Sequence, residues 1–200
     1  MRTKFLFDLD GTVTSVETLP LIACAFHIEQ QIADLTARTV RGDVPFIDSF
    51  IQRVQILGEL PVSQISDLLS TAPLYENLAN FIRRHPESCC IVTGNILDWC
   101  AKLLNRLNCE SYGSSAIIEG DKVKKLCRIL KKEDIVKKYI DEGFRVVFIG
   151  DGNNDAEAMR IADVAIATGL THYPAKSVLT VADYVIFNEK ALCRILNQLF

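Results

Sequence analysis

Three short, mainly apolar runs, Lys4 to Phe7, Cys89 to Val92 and Phe144 to Ile149, each end in a turn of small or acidic residues, and sequence of helical spacing follows each one. Runs of this length read as buried strands. Strands that alternate with helices form a parallel sheet covered on both faces, and such sheets present their chemistry beyond the C-terminal ends of the strands. The fold class that follows is α/β, a Rossmann-like parallel sheet with helices on both faces.

The first turn, Phe7-Asp8-Leu9-Asp10-Gly11-Thr12, places two carboxylates two residues apart where the strand ends. Strand geometry would put Asp8 and Asp10 on one face, and Gly11 lets the chain turn sharply. One carboxylate can then attack while the other handles protons. Taken alone, the segment is equally an ordinary turn. Strand Phe144 to Ile149 runs into Gly150-Asp151-Gly152-Asn153-Asn154-Asp155 in the same layout. Neither cluster fits a calcium loop, which needs glycine at its sixth position and a closing glutamate: Gly11 comes too early, and Ala156 and Ala162 stand where the glycine and glutamate of the second would be. Four carboxylates at the ends of neighbouring strands would repel one another strongly unless a cation sat among them, and hard oxygen ligands point to magnesium.

The third strand end, Cys89-Cys90-Ile91-Val92-Thr93-Gly94-Asn95, offers a hydroxyl and backbone N–H groups ahead of a helical pattern, a combination suited to an anion but also common in simple caps. Lys131-Lys132 precedes a further helix, Glu133 to Glu142. Lysines so placed are mostly solvated surface charges.

Between the first and second strands the periodicity is helical throughout: Val16 to Ile28, Gln30 to Val40, Phe46 to Leu57 after the break Gly42-Asp43-Val44-Pro45, and a helix opened by Leu60-Pro61. Ala72-Pro73-Leu74 closes the block. Two domains are therefore expected: an α/β core of residues 1–14 and 76–200, and an all-α cap of residues 15–75 inserted just after the first strand. A short strand near Tyr112, a hairpin around Gly120-Asp121, strands Val164 to Ala167 and Tyr184 to Phe187, and a closing helix Ala191 to Leu199 complete the expectation. Two hundred residues, 49% of them hydrophobic, suffice for one full core and a small accessory domain. A net charge of −3 argues against a nucleic-acid partner, and the leading apolar run, broken at Asp8, argues against a signal peptide or membrane span. The seven cysteines form no C-x-x-C pair and read as buried small residues of a cytoplasmic protein, and the three scattered histidines argue against zinc.

Together the four pieces resemble the haloacid dehalogenase-like phosphatases over nearly the whole chain. Asp8-Leu9-Asp10-Gly11-Thr12 is similar to that superfamily's first motif, Thr93 to its second, a lysine to its third, and Gly150-Asp151 through Asp155 to its fourth. Within the superfamily the chain most resembles phosphoserine phosphatase and its relatives, through Glu17, Gly42, Phe46, Arg53-Val54 and Leu60-Pro61. The resemblance implies a magnesium-dependent phosphomonoester hydrolase working through an aspartyl-phosphate. In that scheme Asp8 is the nucleophile and Asp10 the general acid and base. Asp8, the carbonyl of Asp10 and Asp151 hold magnesium, with Asp155 as a further ligand or a support. Thr93, Gly94, Asn95 and Lys132 bind phosphate, with Lys131 a competitor for the last role. Glu17, Phe46 and Arg53 read the substrate, expected to be phosphoserine or a similar small phosphorylated metabolite; an amino alcohol phosphate or sugar phosphate is the alternative. Two departures from the family pattern stand out: Asn95 replaces a usual glycine, so a side chain is expected beside the phosphate, and Gly169-Leu170-Thr171-His172-Tyr173-Pro174 is unlike the family's stretch. A receiver-type phospho-aspartate signalling domain is a more distant reading, since its acceptor does not sit in an Asp-x-Asp-Gly-Thr turn and it carries no inserted cap. The oligomeric state is left open.

Overall fold

The computed structural model describes residues 2–41 and 44–200, with the backbone alone at 36, 37, 39–41 and 46. Strand β1 (Thr3–Phe7) lies between β2 (Cys89–Ile96) and β5 (Arg145–Gly150). Beyond β2 come β3 (Glu110–Glu119) and β4 (Lys122–Arg128); beyond β5 come β6 (Val164–Thr168) and β7 (Tyr184–Ile186). The order is thus β4-β3-β2-β1-β5-β6-β7, parallel except for β4. The chain leaves β1 toward β2 and later returns to its other edge as β5, so the strand order reverses at β1. A reversal of this kind opens a crevice at the C-terminal ends of the strands.

Both faces of the sheet are covered, which is why the central strands read as continuous apolar runs. Phe5 and Phe7 of β1 and Val147 and Ile149 of β5 pack on one side with Phe81, Trp99 and Leu103. Leu6, Val146 and Phe148 pack on the other with Val136, Met159 and Val178. Helices α5 (Glu76–Arg84), α6 (Leu97–Asn105) and α10 (Glu189–Leu199) cover the first face, and α7 (Lys132–Asp141), α8 (Ala156–Ile161) and α9 (Lys176–Leu179) the second. Each fully buried Phe or Leu stabilises the sheet by roughly 1.5–3 kcal/mol.

Among the described residues, four helices lie between β1 and α5: α1 (Thr18–Ala25), α2 (Glu29–Arg41), α3 (Phe46–Leu57) and α4 (Val62–Ser70). The chain enters and leaves this block side by side, because Thr14 bridges Leu74, Ser15 N–H donates to Pro73 O at 3.0 Å and Tyr75 N–H to Val13 O at 3.0 Å. The block then leans on the core where α4 meets α6 and where the β3–β4 hairpin reaches it, with Val62 N–H on Asp121 O at 2.7 Å and Val123 N–H on Gly58 O at 3.0 Å.

Three elements differ from the sequence reading. The short strand near Tyr112 is ten residues long and continues into the hairpin. As one arm of a partly exposed antiparallel ribbon it needs no apolar run, so Ser114, Ser115 and Glu119 masked it. Strand β2 continues through Thr93, Gly94 and Asn95 to Ile96, with its register to β3 shifting between Val92 and Ile96. The expected anion site therefore lies on an irregular strand end, and the helix starts only at Leu97. Four-residue α9 is too short to show a helical period.

Candidate active site

The carboxylates gather where β1, β2 and β5 end. Asp8 extends the β1 ladder by one bond, its N–H donating to Ile149 O at 2.8 Å, and then the chain turns back, with Val13 N–H at 3.0 Å and Thr14 N–H at 2.9 Å from Leu9 O. Gly11 has φ +73°, where a side chain is strained. It is also overlaid: a Cβ there would lie 2.7 Å from Glu17 Oε1, 3.1 Å from His172 Nε2 and 3.3 Å from Asp151 Oδ2.

Lys132, the first residue of α7, is buried under this turn. Its Nζ donates to Asp8 Oδ1 at 2.5 Å and Asp155 Oδ1 at 2.6 Å. Burial alone would lower its pKa, but the carboxylates of Asp155 and Asp8 outweigh that and hold it raised. Lys131, at the exposed cap of the same helix, takes no such position. Asp155 is wholly engaged, since its Oδ2 accepts from Asp151 N–H at 3.0 Å and Gly152 N–H at 2.9 Å while Oδ1 takes Lys132. This return of the carboxylate requires Gly150, where a Cβ would sit 2.5 Å from Asp155 Oδ2. Asp151 accepts from Thr12 Oγ1 at 2.5 Å and faces His172 Nε2 at 3.1 Å.

The charge balance of the cluster is negative. Burial and the Asp155 carboxylate push Asp8 well above the usual range against the pull of Lys132. Burial raises Asp151 likewise, opposed by its hydrogen bond from His172. Oxygens of Asp8, Asp151 and Asp155 lie within 4.8 Å of one another. A hard divalent cation fits that donor set and would relieve the repulsion that raises these pKa values.

Asp10 is set apart from Asp8. Its Oδ1 accepts from Thr18 N–H at 3.2 Å and from the Thr18 hydroxyl, and Thr93 Oγ1 donates to its Oδ2 at 3.2 Å. Burial and then the Glu17 charge raise its pKa to about 6, with the Thr18 hydroxyl opposing. Asn95 lines the cavity, and its side chain is turned to Thr18. Its Nδ2 donates to Thr18 Oγ1 at 2.7 Å and its Oδ1 accepts Ile96 N–H at 2.8 Å, so the amide braces Thr18 against Asp10. The Asn95 N–H donates to Thr93 Oγ1 at 3.0 Å.

A cavity of about 400 Å³ opens over these groups, lined by Asp8 and Asp10 and toward the helical block by Glu17, Leu19, Phe50 and Arg53. Gly94, Asn95, Asn154 and His172 line its other walls. Burial lowers the Arg53 pKa and the Glu17 charge opposes that lowering, so the two attract across the cavity. The structure thus brings Asp8, Asp10, Glu17, Arg53, Gly94, Asn95 and Asp151 to one cavity, with Thr93 and Lys132 bonded directly to its carboxylates and Asp155 accepting from the backbone N–H of Asp151. The Phe46 side chain and Gly42 lie outside the described residues.

Sequence reasoning passed over Thr12, Thr18 and His172. The first two are ordinary hydroxyl residues until the fold brings Thr12 to Asp151 and Thr18 to Asp10. His172 Nε2 lies 2.7 Å from Glu17 Oε1, and its Nδ1 is 3.2 Å from Tyr173 O. Hydrogen bonds to Asp151 and Glu17 raise its pKa to about 11. The unusual stretch 169–174 was its only signal.

Residues 5–163 match the family model of a haloacid dehalogenase-like hydrolase. The phosphoserine phosphatase of Archaeoglobus fulgidus is 27% identical over 204 residues, covering 94% of this chain, while the chain spans only 57% of that relative's length. A substrate-bound phosphoserine phosphatase structure superposes with a TM-score of 0.82 at 22% identity, covering 99% of this chain and 98% of the other. A phospho-aspartyl intermediate analogue of phosphoserine phosphatase superposes with a TM-score of 0.81 at 23% identity, covering 99% of both chains. At these identities the structural likeness shows a common fold.

Proposed function

The chain belongs to the haloacid dehalogenase-like hydrolases, and on that premise we propose that it is a magnesium-dependent phosphomonoester hydrolase acting through an aspartyl-phosphate on phosphoserine or a similar small metabolite. The observation that carries this reading is the division of labour between two neighbouring carboxyl groups. Asp8 lies 2.5 Å from the Lys132 ammonium, whereas Asp10 is held by Thr18 and Thr93 with its pKa near 6.

Asp8 attacks phosphorus in line, and the bond from phosphorus to the leaving alkoxide breaks as Asp10 delivers its proton to that oxygen. Asp10, now ionised, takes a proton from the water that attacks the phosphorylated Asp8, releasing phosphate and restoring both groups. A pKa close to the working pH suits a residue that must give and then take the same proton. Lys132 opposes the rise in the Asp8 pKa and meets the negative charge of the transferring phosphoryl group. The carboxylates of Asp8 and Asp151 and the backbone carbonyl of Asp10 would hold magnesium, and Asp155, with both oxygens engaged, supports the Lys132 ammonium and the 151–152 backbone. When bound, the cation offsets the repulsion between a dianionic phosphate and the nucleophile.

Residues 15–75 act as the cap in this reading, and the paired strands at Thr14 and Leu74 form its neck. Glu17 and Arg53 would meet an ammonium and a carboxylate of the substrate. The name phosphoserine phosphatase borne by the similar proteins supports that choice. No described helix is long and apolar enough to cross a membrane.

Phosphate release from phosphorylated amino acids, amino alcohols and sugars, with magnesium and with excess chelator, tests the proposal. Turnover should vanish with chelator and return with magnesium; full activity without metal would reject the mechanism. Arg53→Ala should cost phosphoserine about 2–5 kcal/mol in kcat/KM and a small aryl phosphate much less. Equal losses on both would remove Arg53 from substrate reading.

A further inference from the structure

The neck between the helical block and the core is one bridge wide, Thr14 to Leu74, with two further backbone bonds beside it. A two-stranded contact that short holds little orientation by itself. It gains a further attachment from the turn 169–174, which is pinned to the core at both ends: Gly169 N–H donates to Ile186 O and Ala175 N–H to Asp151 O, each at 2.8 Å. From the middle of that turn Thr171 reaches both strands of the neck. Its hydroxyl oxygen lies 3.4 Å from Thr14 O on the strand that enters the block and 3.1 Å from the Tyr75 hydroxyl at the end of the strand that leaves it. A carbonyl can only accept, so Thr171 donates to Thr14 and Tyr75 donates to Thr171. One half-buried hydroxyl therefore ties the two strands to each other and to the sheet.

Glu17, on the cavity wall, stands just beyond Thr14 and immediately before α1. The Thr14 hydroxyl accepts Gly11 N–H at 3.2 Å and lies 2.7 Å from Val16 O. The segment leading to Glu17 is thus held by its Thr14 carbonyl to Thr171 and by its Thr14 side chain to the turn that follows Asp8. Neither Tyr75 nor Thr171 lines the cavity. Resting on the phosphatase reading above, we propose that Tyr75 and Thr171 are positioning residues, which hold the neck against the core and so fix Glu17 at the distance from Asp8 that a substrate reaching the cap must span. A displaced neck moves the far wall of the cavity and leaves the strand ends that carry Asp8 and Asp10 where they are. The pair sets affinity for phosphomonoesters long enough to meet the cap and leaves bond breaking alone.

The test compares turnover of O-phosphoserine, whose amino acid end reaches the cap, with that of a small aryl phosphate that carries no group for Glu17. Thr171→Val and Tyr75→Phe each remove one hydroxyl and keep the packed shape. Thr171→Val should raise KM for O-phosphoserine by about tenfold, near the upper worth of one hydrogen bond, and Tyr75→Phe by less. In both variants kcat for O-phosphoserine, and kcat and KM for the aryl phosphate, should stay within about twofold. Thr171→Ser keeps the hydroxyl and should behave as wild type. The double variant should be no worse than Thr171→Val alone, because both changes break one chain of bonds. An unchanged KM, effects that multiply in the double variant, or equal losses on both substrates with a lower melting temperature overturn the proposal, while aryl phosphate turnover leaves the phosphatase reading intact. A wild-type protein that hydrolyses the aryl phosphate and ignores O-phosphoserine also overturns it. Absence of any phosphate release removes the phosphatase reading, and the proposal falls with it.

Discussion

The same strands carry a charged cluster at each end, and the two are balanced in opposite ways. At the carboxyl end, Asp8, Asp10, Asp151 and Asp155 face the single buried ammonium of Lys132, and Asp8 and Asp151 are held above the usual carboxylate range. At the amino end, Glu110 of β3 accepts from the hydroxyls of Tyr112 and Tyr139 and lies 3.5 Å from Lys4 Nζ and 3.6 Å from Lys138 Nζ. Burial would raise Glu110, but those hydrogen bonds and the two ammoniums bring it to about 2. A cluster with more carboxylates than cations is strained until a ligand of opposite charge arrives. A cluster with its carboxylate fully met is a strut. One end of the sheet is built for chemistry and the other for holding β1, β3 and α7 together.

The sharpest way to break that contrast is to remove Asp8, the proposed nucleophile. Asp8→Asn should lower turnover by roughly three or more orders of magnitude, about 4 kcal/mol of barrier, because an amide is a very poor nucleophile. Thermal stability should hold or rise, since one of the repelling carboxylates is gone. Phosphate release and a melting curve measure both. Activity within about tenfold of wild type would take Asp8 out of the mechanism.

Lys132→Met asks whether the one ammonium is all that makes the carboxyl end tolerable. It leaves Asp8 and Asp155 buried without a cation, which should cost about 3–5 kcal/mol of stability at pH 7, besides lost activity. Burial and the Asp155 carboxylate already raise the folded-state pKa of Asp8, and without the lysine nothing opposes them from that side. The protonated form of Asp8 then favours the fold, so the deficit should shrink as pH falls from that raised value toward the unfolded one and be fully present above the raised value. Urea unfolding at pH 5 and pH 7 decides it; a deficit that is small or independent of pH would mean the cluster is not charge-strained.

How far each region was legible in the sequence follows from the same contrast. Asp8, Asp10, Thr93 and Asp151 sit at strand ends that a few adjacent residues define, so local pattern sufficed to single them out as candidates that the fold brings together. Lys132 and Lys131 are indistinguishable as neighbours in sequence and differ only once α7 packs, burying one and exposing the other. The role of Asp155 turned on which donors reach its two oxygens, and Asn95 on whether its amide points to phosphate or to Thr18. Thr12 and His172 act across 139 and 155 residues on Asp151 and Glu17, and no window contains both partners. The α/β alternation was plain for the same local reason as the motifs. The exposed β3–β4 ribbon, whose residues need not be apolar, was not, and neither was the Glu110 cluster, where unremarkable tyrosines and lysines converge from three elements.

Glu110→Gln tests the quiet end and should give the smallest effect. An amide oxygen still accepts from one of the two tyrosines while the NH2 faces the other, and the attraction to Lys4 and Lys138 is lost. The folded-state pKa of Glu110 is depressed to about 2 from its ordinary 4.5, so its contribution is present above the unfolded value and is lost as pH falls through about 2. The Glu110 side chain is 44% exposed, and solvent screening limits that contribution to about 1 kcal/mol or less at pH 7. Glu110→Gln should therefore lower the urea midpoint slightly at pH 7 and match wild type near pH 2, with phosphate release at pH 7 unchanged. A loss of turnover with stability intact would mean that the amino end speaks to the carboxyl end through β1. The division of the sheet into a strut and a reactive end would then be wrong.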